Sequence, residues 1–250
     1  MSSTACPTTW LVTGANRGIG FELVKQLLES PDNLVIATCR NPEKSTALSE
    51  LKKSAEGALH IIRLDVTDFA NVRASAKEVE TILGDIGLDY LVNNAAIVAW
   101  DSVFDMDPEK LVDILRTNTV GPALISQVYL PLLEKGRAKK ILHISSQAGS
   151  MASFEELIAE EHRKLGAYAL SKAALNMLAY KQKVARPDLI VIALCPGWVK
   201  TGKYSMQDMG GEKGLLQPEE SIAGIIKVTT SATSADSGKF LRYNGEEIPW

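Results

Sequence analysis

A doubly wound parallel β-sheet with helices on both faces, of the α/β class, is the fold the sequence predicts, and three observations predict it. Short apolar runs recur along the chain and are nearly continuous rather than alternating, as strands buried on both faces of a parallel sheet read. Segments with helical periodicity separate them, so strand and helix alternate. A glycine cluster closes the first run and opens the first helix, the place where such sheets hold phosphate groups. About seven strands joined by right-handed βαβ crossovers are expected.

In chain order the runs are "WLVTG" (10–14), "LVIATC" (34–39), "LHIIRLDV" (59–66), "LDYLVNNA" (88–95), "KILHISS" (140–146) and "LIVIALCP" (189–196). Helical periodicity covers 20–29, 42–55, 69–83, 108–133 and 168–185, several of these opened by Pro, Asp or Ser as helix starts demand. With no linker, composition break or internal repeat, residues 1–250 read as one domain. Two stretches fall outside the alternation, 147–166 and 195–217, the second with five glycines. Loops after strand C-terminal ends are where open α/β sheets place ligands, so both are expected to wall a substrate site.

The composition excludes several partners. Of 250 residues, 46% are hydrophobic and 23% charged, enough for a sizeable core, and 27 basic against 30 acidic residues give a formal net charge of -3. The one dense charged run, "EELIAEEHRK" (155–164), mixes both signs and reads as a solvated helix, so no nucleic acid partner is expected. Cys6, Cys39 and Cys195 show no CxxC spacing, and His60, His143 and His162 form no ligand pattern; no metal and no disulfide are expected. The first 18 residues lack a basic leader region, and no run reaches the ~18 apolar residues of a membrane span. The expectation is a soluble, cytoplasmic protein with no membrane contact.

"TGANRGIG" places Gly14, Gly18 and Gly20 at the first strand-to-helix turn, in GxxxGxG spacing. Backbone without side chains can approach a pyrophosphate there, and the helix beginning near Gly18 points free N–H groups at it. At the end of the second strand a carboxylate would meet the ribose hydroxyls of NAD. The residues present are Thr38, Cys39, Arg40 and Asn41. Arg40 together with Arg17 could instead clamp a 2'-phosphate, which favours NADP(H) as cofactor.

These residues, with "LDVTD" (64–68), "NNAA" (93–96), Asn118 in "RTNTVG", "ISS" (144–146), "YALSK" (168–172) and "PGWVKT" (196–201), resemble the short-chain dehydrogenase/reductase family over essentially the whole chain. The resemblance implies a Rossmann-type fold. It implies cofactor contacts from Gly14, Asn16, Arg17, Gly18, Ile19 and Gly20, from Arg40, and from Asp65 and Val66 beside the adenine. Asn93 and Ala95 would stand at a strand end beside the cofactor, and Pro196, Gly197, Val199 and Thr201 would meet the nicotinamide. "NNAA" departs from the commoner NNAG in having Ala96, a small loss of backbone freedom. The ending "GKFLRYNGEEIPW" (238–250) is similar to the carbonyl-reductase-like branch that includes sniffer and C-factor proteins.

Hydride transfer to a carbonyl leaves an alkoxide that needs a proton, so a reductase requires a positioned acid. Tyrosine ordinarily titrates near about 10, too high without help. Tyr168 and Lys172 stand at i and i+4, one helical turn apart on one face, so the ammonium can lower the phenol's pKa. Tyr168 is therefore assigned as general acid for reduction, with Lys172 as its electrostatic partner and a further cofactor contact at the ribose. Ser145 and Ser146 both end a strand facing the site; the resemblance points to Ser146 as donor to the substrate oxygen and leaves Ser145 structural. Asn118, unfavourable inside a helix, would by resemblance hold a water that links the lysine to solvent.

The interval between Ser146 and Tyr168 is longer than the compact family pattern, and "FEELIAEEHRKLG" reads as a short inserted helix with a solvated His162. Trp100, Met151, Phe154, Trp198, Tyr204 and Met206 fall in the loops expected to border the pocket, which suggests an apolar or aromatic small-molecule carbonyl substrate. The reading is thus NADPH-dependent reduction of a ketone or aldehyde to an alcohol. The alternatives are an NAD-dependent alcohol or hydroxysteroid dehydrogenase and a cofactor-binding signalling protein of C-factor type. Association into a homodimer or homotetramer through the 108–133 and 168–185 helices is what the resemblance implies, although monomers occur in the carbonyl reductase branch.

Overall fold

In the computed structural model, which describes residues 6–154, 164–201 and 216–250, seven parallel strands form one sheet in the order β3-β2-β1-β4-β5-β6-β7. The strands are β1 (Thr8–Val12), β2 (Asn33–Cys39), β3 (Ala58–Arg63), β4 (Tyr90–Asn93), β5 (Lys140–Ile144), β6 (Ile190–Cys195) and β7 (Phe240–Arg242). The chain builds outward from β1 to β3 and then returns to lay β4 against β1, with Trp10 opposite Tyr90 and Val12 opposite Val92. The strand order therefore reverses between β1 and β4. A crevice opens at such a switch point, above the C-terminal strand ends.

Alternation along β1 sends Trp10 and Val12 to one face and Leu11 to the other. On the first face they pack with Leu23, Val24 and Leu27 of α1 (Gly18–Leu27), Leu48 of α2 (Thr46–Ser54) and Ile222 and Ile225 of α8 (Pro218–Ser231). On the second, Leu11 joins Val72 and Val79 of α3 (Phe69–Leu83), Ile125 of α5 (Gly121–Val128) and Ala179 of α7 (Gly166–Ala185). Two cores, one per face, are what double winding requires.

Four departures from the sequence reading have local causes. Apart from β2, which ends with its run at Cys39, the strands read from sequence end one to three residues before their apolar runs at the C-terminal side, because those last residues form the loops above the sheet. The helix over 108–133 is divided into α4 (Pro108–Leu115), a π-helical turn (Arg116–Val120), α5 and α6 (Leu130–Lys135). Pro122 and Pro131 each remove an N–H from the continuous ladder, and the π turn places Gly121 where a Cβ would lie 2.7 Å from Val66 O. The helix over 42–55 breaks into a 3-10 turn at Pro42–Lys44 followed by α2. Helix α8 is an addition, opened by Pro218 with Glu219 and Glu220 in its first turn. The expected inserted helix with His162, and the pocket positions Tyr204 and Met206, fall on residues outside those described.

The lower, N-terminal edge of the sheet is held by two buried charges. Asp89 accepts from the Thr9, Arg137 and Ala138 amides at 3.1, 2.7 and 3.0 Å and from the Arg137 guanidinium at 3.2 Å. Burial alone would raise the Asp89 carboxyl; those hydrogen bonds outweigh it and hold the group below the ordinary value. Lys140 Nζ donates to the Thr229, Thr230 and Ala232 carbonyls at 2.8 to 2.9 Å, closing the C-terminal end of α8. Among the described residues no helix is long and apolar enough to cross a membrane.

Candidate active site

The glycine loop sits in the crevice between β1 and β4. Gly14 has φ +65°, and a Cβ there would come within 2.9 Å of Ala95 Cα, so the two loops touch backbone to backbone. At Gly20 a Cβ would lie 2.5 Å from both Asn94 Nδ2 and Gly14 O. Helix α1 starts at Gly18 behind Arg17, whose side chain makes no capping bond, which leaves the first-turn N–H groups facing the crevice. Thr13 and Asn94 hold the loop: Asn94 Nδ2 donates to Thr13 O at 2.8 Å, and the Asn94 and Ala95 amides donate to Thr13 Oγ1 at 2.9 and 3.0 Å.

A cavity of about 830 Å³ runs along this loop. Of the residues expected from sequence, Gly14, Asn16, Arg17, Gly18, Ile19, Gly20, Arg40, Asp65, Val66, Ala95 and Thr201 border it. Arg17 and Arg40 are both exposed, and Lys44, unexpected from sequence, adds a third cation on the same wall from the 3-10 turn after β2. Asp65 does not offer its Oδ1 to the cavity; it accepts from Thr67 N and Oγ1 at 2.9 and 2.7 Å and shapes its own turn. Arg116 braces that turn, donating to Thr67 O at 2.9 Å and lying 4.9 Å over the Phe69 ring.

Asn93 is expected beside the cofactor, yet its side chain does not border the cavity. It is buried on the far side of β4, donating to Ser126 Oγ at 3.3 Å and to His143 Nδ1 at 3.4 Å. Consecutive strand residues point to opposite faces, so its neighbour Asn94 takes the loop-supporting position. His143 is fully buried between Asn93 and Gln182, and burial drives its pKa down to about 4. Pro196, Gly197 and Val199 follow β6; Pro196 O accepts from Ser221 Oγ and Val199 bridges Leu216, and none of the three borders the cavity.

Tyr168 and Lys172 lie on α7, and Ser145 and Ser146 follow β5; none of these four borders the cavity either. Lys172 Nζ stands 5.5 Å from the Tyr168 ring centroid and donates to Ile144 O, at the end of β5, at 2.7 Å. The lysine is 2% exposed. Burial pulls its pKa down to about 8, with Cys195 acting weakly the other way. Ser145 is buried and donates to Asn176 Oδ1, a bond that occupies its only proton. Ser146 is half-buried and its oxygen accepts from Ala148 N at 3.2 Å, leaving its O–H able to donate elsewhere.

Asn118 sits in the π turn with no exposed surface. Its Oδ1 accepts from Ile97 N at 2.9 Å, and its Nδ2 donates to Ile97 O at 2.9 Å and Ser171 Oγ at 3.0 Å. The amide thus clamps the loop after β4 to the helix of Tyr168 and Lys172. Both its N–H groups are used, so the water expected beside it would have to donate to an oxygen of Asn118 rather than accept from this amide.

The family model described as short chain dehydrogenase matches residues 8–208. The NADPH-bound carbonyl reductase from chicken fatty liver superposes with a TM-score of 0.87 at 35% identity, covering 98% of this chain and 100% of that one. Carbonyl reductase Sniffer of Drosophila melanogaster gives 0.85 at 31% identity with the same coverage. The short chain dehydrogenase gsfK of Penicillium aethiopicum is 34% identical over 98% of this chain and all of its own.

Proposed function

The chain belongs to the short chain dehydrogenase family of oxidoreductases, and from that premise we propose that it reduces a ketone or aldehyde to the alcohol with NADPH. The observation that carries the reading is the buried Lys172 ammonium 5.5 Å from the Tyr168 ring, on the helix that packs against α4 and the π turn, whose Asp113 and Thr117 border the crevice. NADPH, when bound, supplies the hydride.

The crevice fits that cofactor on its own terms. The uncapped first turn of α1 and the side-chain-free surface at Gly14 and Gly20 suit a pyrophosphate. Arg17, Arg40 and Lys44 offer three cations to a 2'-phosphate, with no carboxylate at the end of β2 to repel it. The relatives named as carbonyl reductases, one of them NADPH-bound, support the same choice.

The chain's own residues then divide the remaining work. Ser146 donates a hydrogen bond to the carbonyl oxygen and fixes it toward Tyr168. Tyr168 delivers its phenolic proton as negative charge grows on that oxygen. Lys172 stabilises the phenolate left behind, by an electrostatic attraction that burial strengthens. Asn118 acts as a clamp that keeps the wall at Ile97 in register with α7. Trp100 and Met151, exposed on the loops after β4 and β5, support an apolar or aromatic substrate. Leu170, Met177 and Val184, exposed along α7, support self-association through that helix.

Oxidation of NADPH measured across a panel of aromatic and aliphatic carbonyls tests the reading. Turnover with at least one class is expected, and Tyr168→Phe should lower it about 10³-fold while NADPH still binds with parental affinity. A parent protein that reduces none of the panel, or a Phe variant that keeps its rate, rejects the assignment.

A further inference from the structure

Helix α7 carries both Tyr168 and Lys172, yet its own N-cap position is Leu165, which has no side-chain acceptor for the first-turn amides. The acceptor comes from elsewhere in the chain. Ala167 N donates to Asp101 Oδ1 at 2.9 Å, across a separation of 66 residues. Asp101 also pairs with the helix entry through its backbone, its N–H donating to Lys164 O at 2.8 Å and its carbonyl accepting from Gly166 N at 3.3 Å. The packing is tight: a Cβ at Gly166 would lie 3.1 Å from Asp101 Oδ1 and 3.3 Å from Val103 Cγ2.

We propose that Asp101 is a positioning residue for the proton donor, acting as the N-cap that α7 lacks locally. Tyr168 directly follows the amide that Asp101 holds, in the first turn, the part of a helix that frays most readily. A carboxylate there also complements the positive end of the helix. The loop that bears Asp101 is itself secured at its other end, where Asn118 takes both backbone groups of Ile97 and reaches Ser171, the residue before Lys172. Segment 97–101 is therefore stapled to α7 at two points, one before Tyr168 and one before Lys172.

The inference rests on the reductase reading, and the test separates the two. Asp101→Ala and Asp101→Asn are compared with the parent by steady-state carbonyl reduction, by NADPH binding and by hydrogen exchange at the Ala167 amide. Asp101→Ala should lower kcat about 10-fold or more, leave the NADPH Kd unchanged and lose protection at Ala167. Asp101→Asn keeps an oxygen acceptor and should stay within about threefold of the parent with protection retained. Should the Ala variant unfold, Asp101→Leu, close to Asp in size but without an acceptor, takes its place with the same expectations. An Ala variant with parental kcat, an Asn variant as impaired as Ala, or losses matched by weakened NADPH binding overturns the inference alone. A parent that reduces no carbonyl overturns the reductase reading, and the exchange comparison then decides whether Asp101 holds the turn.

Discussion

Strand β5 begins with one buried lysine and ends against another. Lys140, its first residue, donates to three carbonyls at the end of α8 and lies 5.6 Å from the Tyr90 ring. Lys172 donates to Ile144 O, at the last residue of the strand, and lies 5.5 Å from the Tyr168 ring. Burial lowers the pKa of both. An ammonium has three N–H groups. Lys140 uses all of them on the protein, whereas Lys172 uses one among the described residues, which on the proposed reading leaves two for cofactor or substrate. Two buried lysines with aromatic neighbours are thus separated in role by their unused hydrogen-bonding capacity, not by their burial.

Replacing each lysine by methionine is the strongest way to break this comparison. Lys172→Met should reduce carbonyl turnover about 10²-fold with a small change in the urea midpoint, because one carbonyl loses a partner and a buried charge is removed with it. Lys140→Met should keep kcat and KM and lose about 2 kcal/mol of stability, as the end of α8 is left with unsatisfied carbonyls. Equal effects of the two variants on both quantities would show that the edges of the sheet do not differ in this way.

How much of this was readable from sequence follows the range of the interactions. The six apolar runs and the helices between them were legible because burial on both faces of a parallel sheet leaves a local mark. The one-turn spacing of Tyr168 and Lys172 was legible for the same reason. Helix α8 was not, since "SIAGIIKVTT" mixes β-branched residues with Gly224, although Pro218 and the two glutamates after it were a start signal. The choice of Asn94 over Asn93 depends on the phase of β4, which an unbroken apolar run does not reveal. The π turn and the Asp101 cap depend on partners 21 and 66 residues away, and nothing in either segment names them.

A smaller effect sharpens the comparison at the crevice itself. Arg40 is exposed and makes no hydrogen bond among the described residues that would tie it into the fold. Arg40→Asp should therefore leave the melting temperature near the parent's while shifting the NADPH to NADH preference in kcat/KM by about 10-fold or more toward NADH, as a carboxylate repels a 2'-phosphate and accepts from ribose hydroxyls. A parent that already prefers NADH, or a variant that still prefers NADPH to the same degree, would remove Arg40 from the phosphate site.

The smallest effect lies in the pH response. Lys172, with its pKa pulled to about 8, gives up its proton as pH rises through that value, and carbonyl reduction should fall about twofold between pH 7 and pH 8 and further above it. Stability moves in the opposite sense. Below pH 8 the lysine is protonated whether folded or unfolded, and the cost of burying the charge is fully present. Between about 8 and the ordinary value of 10.5 the unfolded chain holds the proton and the folded one does not, so this group's contribution rises with pH. Lys140, also lowered by burial, adds to stability with the same sign but does not touch the reaction. Lys140→Met should accordingly keep the activity limb near pH 8, and the residual activity of Lys172→Arg, always charged, should lose it. A limb that persists in the arginine variant would assign the titration to another group and leave the two lysines alike.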